Sequence, residues 1–381
     1  MTEVQRFIDD VEGLRRYLEA GGTLEKTDLV DMDLGFLGEQ AVRLTHVRAI
    51  RCRIPLRVLD ASSAIFAGCD FSDANFAEGE IVDTTFRACS LTRAYFDEAL
   101  ICDTVFEDCD LPRASFRAAK LLKVSLEGCR LPDVRLDGVT ATSCRFDEAE
   151  LGDASLLAAR LDKVSFREAR FGEVDLRQAV ITRSAFDEVD FRRVKLGKTT
   201  MTETLLEEVD ATGQCFDGCD LTDASFDDAL LSGASFVGAG LFRVSFDRVS
   251  GRGMDLRKAD ARFASFVGAD LTEARFEDAQ LEEVGFIGAV LPRAKLARIR
   301  APRAMVMQAD LTDAMLTGAH LPYADFSHAK ADRANFADAN LQFANMHRTA
   351  RTDAVFGGAN RIGVRKTDPV LAQAEDFKPP R

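Results

Sequence analysis

Tryptophan is absent from this 381-residue sequence and tyrosine occurs three times, yet there are 28 phenylalanines. A core without a recurring slot has no reason to choose one aromatic so strictly, so some structural position must accept Phe repeatedly. Basic charge is outweighed: 49 Lys and Arg face 63 Asp and Glu, a formal net charge of −14. That balance disfavours direct binding to nucleic acid or an anionic membrane, both of which need Lys and Arg to meet phosphates. It favours solubility or a protein partner with a basic surface. No apolar run approaches the roughly 20 residues that cross a bilayer core, so no membrane-spanning helix is expected. The N-terminal segment lacks the basic start and apolar middle of a signal peptide. The expected location is the cytoplasm, where the nine cysteines are reduced thiols.

What is present is a period of five. Stepping from Phe66 gives Phe71, Phe76, Ile81, Phe86, Leu91 and Phe96, and the register holds to Phe356 over 59 consecutive positions. Only Ala141, Ala211, Gly251, Ala261, Ala301, Ala331 and Arg351 are not large and apolar. Two residues before each centre sits a small residue, with Gln214, Met254 and Ile299 as misfits. The other three positions are mostly polar, as in Ala309-Asp310-Leu311-Thr312-Asp313. A period of five fits neither 3.6 nor 2. It closes if each repeat forms one side of a square coil, so that four repeats complete a turn. The centres then point inward and successive coils stack at about 4.8 Å.

This pattern resembles the pentapeptide repeat family. The resemblance spans roughly residues 22–360 and implies an all-β solenoid, a right-handed quadrilateral β-helix. It implies little about function, because a fold hosts many functions. Centres ending in 6 are mostly Phe and those ending in 1 mostly Leu or Ile, which puts Phe on two opposite faces as a core-filling device.

The ends differ from the repeat. Val4, Phe7, Ile8, Val11, Leu14 and Leu18 have helical spacing, Thr2 and Gln5 can form a capping box, and Gly21-Gly22 ends the segment. An N-terminal capping helix is expected over 1–21. A looser register, Leu24, Leu29, Leu34, Leu44, Ile54 and Leu59, precedes Phe66, and the last step is seven positions instead of five. That predicts a two-residue excess, as a bulge or loop, near 55–65. Thr367-Asp368-Pro369 starts a helix, and Val370, Leu371 and Phe377 are expected to cap the last coil within a C-terminal cap and tail over 361–381.

Catalytic and cofactor chemistry is not legible. His328 and His347 share a face in adjacent coils, but the sequence offers them no third ligand, so no metal is expected. Cys69, Cys89, Cys109 and Cys129 recur at the same position in every fourth repeat and stack as small buried groups, whereas zinc needs ligands converging from several directions. Cys102 and Cys215 point outward as the reactive thiols. Gly197-Lys198-Thr199-Thr200 echoes a phosphate-binding loop, but Arg192 stands where its first glycine belongs. No carboxylate sits in an apolar setting that tunes it for acid–base work. No catalytic residue, cofactor or enzyme activity is expected.

The surface is asymmetric. The two residues after each centre on the Phe106 face include Glu107, Asp108, Glu127, Asp147, Glu148, Glu168, Asp187, Glu188, Glu207, Glu208, Asp227, Asp228 and Asp247, against only Arg167 and Arg248. At about 4.8 Å per coil this approaches one net charge per ~3.4 Å, the phosphate spacing of a B-DNA strand. Further on, Val267, Ile287 and Met307 occupy the same position. Tyr323 and Phe343 form another outward column. These apolar columns are candidates for docking, for a homodimer contact at the C-terminal end, or for cover by the chain's own tail. Some members of the resembled family bind type II topoisomerases, DNA gyrase or topoisomerase IV, and protect them from inhibitors or toxins. The resemblance thus implies a DNA mimic on the acidic face. The alternative is a scaffold or adaptor in a bacterial assembly such as a secretion system.

Overall fold

The structure is a computed structural model that describes residues 6–8, 10–19, 23–38 and 41–377. It comprises two compact units, Met1–Val189 with Arg193–Thr199, and Asp190–Arg192 with Thr200–Arg381. Each is built from the same coil, and the fold is the right-handed quadrilateral β-helix that the repeat implies.

In the first unit, residues 65–67 pair in parallel with 85–87, and 85–87 with 105–107, each Cα partner 20 positions on. Residues 100–102, 120–122, 140–142 and 160–162 form a second parallel ladder with the same spacing. In the second unit single bridges carry the ladder, such as Ser225 to Ser245 and Asp255 to Arg275. The chain turns at every side. The second residue after nearly every centre has positive φ, as at Asp73 (63°) and Glu98 (60°), where the turn needs the left-handed region; Asp153, Glu173 and Arg193 are exceptions. Its N–H donates to the next coil (Glu98 N to Arg117 O, 2.8 Å), which helps offset the strain of a non-glycine residue there.

The core is the stack of centres. Phe86 and Phe106 lie with centroids 4.8 Å apart and nearly parallel, Phe96 and Phe116 at 4.5 Å, and Phe96 meets Phe106 edge-on at 6.2 Å. The second unit repeats this: Phe216 stacks on Phe236 at 4.8 Å, and Phe226 meets Phe236 edge-on at 5.8 Å. Opposed stacks with edge-on contacts between them satisfy the ring quadrupoles. The smallest centre, Gly251, is filled from the neighbouring slot. A Cβ on Gly251 would collide with Met254 Sδ, so Met254 occupies the space that Gly251 leaves. The cysteine ladder is buried as expected. Neighbouring thiols (Cys109 for Cys89, Cys129 for Cys109) together with burial push Cys89 and Cys109 up to about 12.

The structure corrects three expectations. First, Arg6–Ile8 is a strand, β1, paired in parallel with Thr27–Leu29, and the helix α1 spans only Val11–Glu19. Ladder hydrogen bonds available to the backbone at 6–8 outweigh the helical spacing. Leu14 of α1 is fully buried; Thr2, Gln5 and Gly21-Gly22 lie outside the described residues. Second, the register before Phe66 is three residues short, not two long. Ala49 pairs with Phe66, 17 positions on, where Leu29 pairs with Ala49 at 20. The centres run Ile54, Val58, Ala61, Phe66, all buried, while Leu59 turns outward at an irregularity opposite Val42–Arg43. Third, the ladder continues to Arg365. The following helix α2, Pro369–Asp376, has Asp368 as its N-cap, accepting from Val370 N and Leu371 N. It lies against the side of the coil, and Val370, Leu371 and Phe377 stay exposed instead of covering the last coil. Glu375 and Asp376 are drawn to His328, His347 and Arg348 on that side.

Candidate partner-binding face

The two positions after each centre do different jobs. The first is half-buried at Asp147 and Asp187 and exposed at Glu107 and Glu127, and a carboxylate there finds partners in a neighbouring coil. Asp147 accepts from the Ser165 hydroxyl and from Arg167 N–H at 2.9 Å. Asp187 pairs with Arg167 Nε at 2.9 Å. Glu107 pairs with Arg87 at 2.7 Å, and Glu127 lies 4.0 Å from Arg145. The second position is the turn corner with positive φ, and its side chain projects from the coil. In the first unit Asp108, Glu148, Glu168 and Glu188 occupy it, with Gly128 between Asp108 and Glu148. The backbone N–H of Glu148 donates to Arg167 O at 2.8 Å and that of Glu168 to Asp187 O at 3.0 Å. Among the described residues these four carboxylates have no ion pair and no side-chain hydrogen bond.

In the second unit the first position again turns inward. Asp227 accepts from the Ser245 hydroxyl and from Asp247 N at 3.2 Å. Asp247 accepts from the Ser265 hydroxyl and from Val267 N at 2.9 Å, and Glu207 from the Ser225 hydroxyl at 3.3 Å. At the corners only Glu208 stands free. Asp228 is held by Arg248 at 2.7 Å, which also lies 3.5 Å from Asp227. The Arg248 hydrogen bond holds the Asp228 carboxyl below the usual carboxylate range.

The thirteen acidic residues are therefore not equivalent. Those at the first position largely build the coil; those at the second, apart from Asp228, are free to meet something else. The sequence carried a signal for this that composition alone missed. An aspartate at the first position is answered by a serine in the next coil, at Asp147/Ser165, Asp227/Ser245 and Asp247/Ser265, and on the opposite face at Asp97/Ser115 and Asp137/Ser155.

The apolar column divides similarly. Val267, Ile287 and Met307 occupy the half-buried first position, so they are partly covered by their own coils. Tyr323 and Phe343 are the exposed pair, 60% and 44% accessible, stacked with centroids 5.1 Å apart and 15° between planes. Phe263 meets Phe242 edge-on at 5.4 Å, and Arg243 and Arg262 lie over the Phe242 ring. No helix among the described residues is long and apolar enough to cross a membrane.

Known proteins share this pattern. A family model described as "Pentapeptide repeat region" matches residues 60–136. A second, "Pentapeptide repeats (8 copies)", matches 144–183, 159–197, 184–223, 204–241, 215–248, 252–286 and 323–350. Together they span more than half of the chain. No curated protein matches the sequence. Among solved structures, full-length QnrB1, a plasmid-mediated fluoroquinolone resistance protein, is similar at 16% identity, covering 52% of this chain and 95% of its own, with a TM-score of 0.30. HetL of Nostoc sp. strain PCC 7120, a pentapeptide repeat protein involved in heterocyst differentiation regulation, is similar at 19% identity over 92% of this chain and 94% of its own, with a TM-score of 0.19. Identities and scores this low carry no argument about function.

Proposed function

The chain belongs to the pentapeptide repeat family, and on that footing we propose that it is a non-enzymatic, cytoplasmic protein-binding β-helix. Its acidic face occupies the basic DNA groove of a DNA-binding enzyme such as DNA gyrase or topoisomerase IV, shielding that enzyme from an inhibitor or toxin. The observation that carries this reading is the ladder of free corner carboxylates, Asp108, Glu148, Glu168 and Glu188, in the first unit. Their backbones are stacked by the coil, so the charges are arrayed in advance along one line. A partner with Lys and Arg aimed at phosphates meets a row of anions whose backbone spacing is already set. The contact is electrostatic, so it weakens steeply with salt.

Competition with DNA for purified gyrase tests it. The triple variant E148K/E168K/E188K is expected to lose at least about tenfold in affinity and to flatten the salt dependence. The control E78K/E98K, at corners of the opposite face, is expected to bind like the wild type. Unchanged competition by the triple variant would overturn the reading.

The exposed Tyr323–Phe343 stack favours a second reading, a scaffold or adaptor that docks a protein through its second unit. Tyr323→Asp with Phe343→Asp would then abolish partner recovery while leaving the gyrase competition intact.

A further inference from the structure

The side of the coil that receives α2 gathers two histidines and a carboxylate that neither the repeat nor the acidic face requires. His328 and His347 come from successive coils, and Glu375 comes from the last turn of α2. His347 Nε2 lies 3.2 Å from Glu375 Oε2, and His328 Nε2 lies 3.4 Å from Glu375 Oε1. The donor atoms of all three residues fall within 4.8 Å of one another. A zinc ion holds nitrogen and oxygen ligands at about 2.0–2.2 Å in a tetrahedron, which places its ligands roughly 3.3–3.5 Å apart. The two His–Glu separations are of that size, each to a different oxygen of the one Glu375 carboxylate. We propose that His328, His347 and Glu375 form a site for a divalent transition-metal ion of the zinc class, with its fourth position open to solvent, and that the ion fastens α2 to the coil.

The surroundings define how the ion binds. His347 is almost fully buried, while His328 and Glu375 are accessible, so the site is half-made in the core and closed from outside. A cavity of about 600 Å³ opens onto it, lined also by Asn345, Lys366 and Asp368. Arg348 Nε lies 2.9 Å from Glu375 Oε2 and competes with the ion for that oxygen. The same guanidinium is tied to Asp376 at 2.6 Å and to Ala372 O at 2.5 Å, so it stays anchored when Glu375 turns to the metal. Asp368 N–H donates to His347 Nδ1 at 3.1 Å, which leaves the ring proton on Nε2, facing Glu375. Coordination at Nε2 moves that proton to Nδ1 with no net loss from the ring, and the Asp368 N–H bond is given up. Because Asp368 is the N-cap of α2, the ion and the first turn of the helix draw on the same imidazole. Metal loading therefore leaves a local signature: the Asp368 amide loses its acceptor while the last turn of α2 gains an anchor.

The experiment is calorimetric titration of zinc into the full chain after alkylation of accessible thiols. One ion per chain is expected, with a Kd on the order of 10 µM or tighter. H328A and E375Q, both at accessible positions, are each expected to weaken binding about tenfold or more. H320A, elsewhere on the coil, is expected to bind like the wild type. Hydrogen exchange supplies a second measurement: zinc is expected to speed the Asp368 amide and slow those of Ala374–Asp376. Unchanged stoichiometry and affinity in H328A/E375Q, or no saturable binding up to about 1 mM, would overturn the proposal.

Discussion

The corner column on the acidic face can be followed through each unit, and the two use it differently. In the first unit it reads Asp108, Gly128, Glu148, Glu168, Glu188, with the charges free. In the second it reads Glu208, Asp228, Arg248, Gly268, Gly288, Gln308, His328, Arg348. There the charge is tied down by Arg248, then disappears, and finally becomes the bed on which α2 lies. Backbone conformation at these corners is the same throughout, so the difference lies in side chains alone. A solenoid fixes where a side chain is presented and leaves open what is presented, so the same corner position can serve recognition in one unit and self-contact in the other.

The core is where the two units should be most alike, and where a substitution costs most. If they share one core design, Phe166→Ala in the first and Phe236→Ala in the second should each cost about 3–5 kcal/mol, because both rings are fully buried in stacks. Urea denaturation followed by circular dichroism reads this, and a large loss in only one unit would show that the cores are not equivalent. Met254→Ala is next. It empties the space around Gly251 and is expected to cost about 2–5 kcal/mol. Smaller again is the effect of extending the second unit's ion pairing to the first. Glu168→Arg sets a guanidinium one coil from Glu148, as Arg248 stands to Asp228. It is expected to weaken gyrase competition about tenfold with little change in stability. Arg248→Ala is the reverse, freeing Asp227 and Asp228 at a stability change within about 0.5 kcal/mol.

Acid should reach both units alike. Arg177 holds Asp175 below its usual range in the first, and Arg243 and Arg262 do so for Asp223 and Asp260 in the second. A depressed folded-state pKa adds stability that is complete above the unfolded value and is lost as pH falls through the folded one. Unfolding midpoints should therefore be flat above about pH 5 and fall below about pH 4. Thiol labelling has the mildest expected effect: Cys215 is expected to react first, Cys102 more slowly because burial, with Asp103 and Glu80 nearby, raises its pKa, and the buried ladder only on unfolding.

The fold was legible because the five-residue period repeats one constraint dozens of times, and no single residue has to be read correctly. The Phe stacks, the cysteine ladder and the Asp368 helix start followed from that constraint or from local capping. What escaped depends on pairings across coils. Gly251 and Met254 each look like a lapse, yet together they fill one slot. The free and structural carboxylates look identical in composition and separate only through their serine partners in the next coil. Glu375 could not be assigned to His328 and His347, because nothing in so short a helix states which side of the coil it lies on. At 6–8, helical spacing lost to a ladder that the sequence around it could not reveal.

The shortened coil between Ala49 and Phe66 has one more implication. It loses three residues yet keeps four sides, so the columns before and after it remain in phase: the coil counts corners, not residues. An insertion of one whole repeat between Glu148 and Glu168 would be accepted by the core, since it only adds another centre. It would also advance every later side by a quarter turn, carrying Glu168 and Glu188 onto a neighbouring face. Length in such a chain drifts freely in steps of a full turn, while a step of one side preserves the fold and scrambles what it displays.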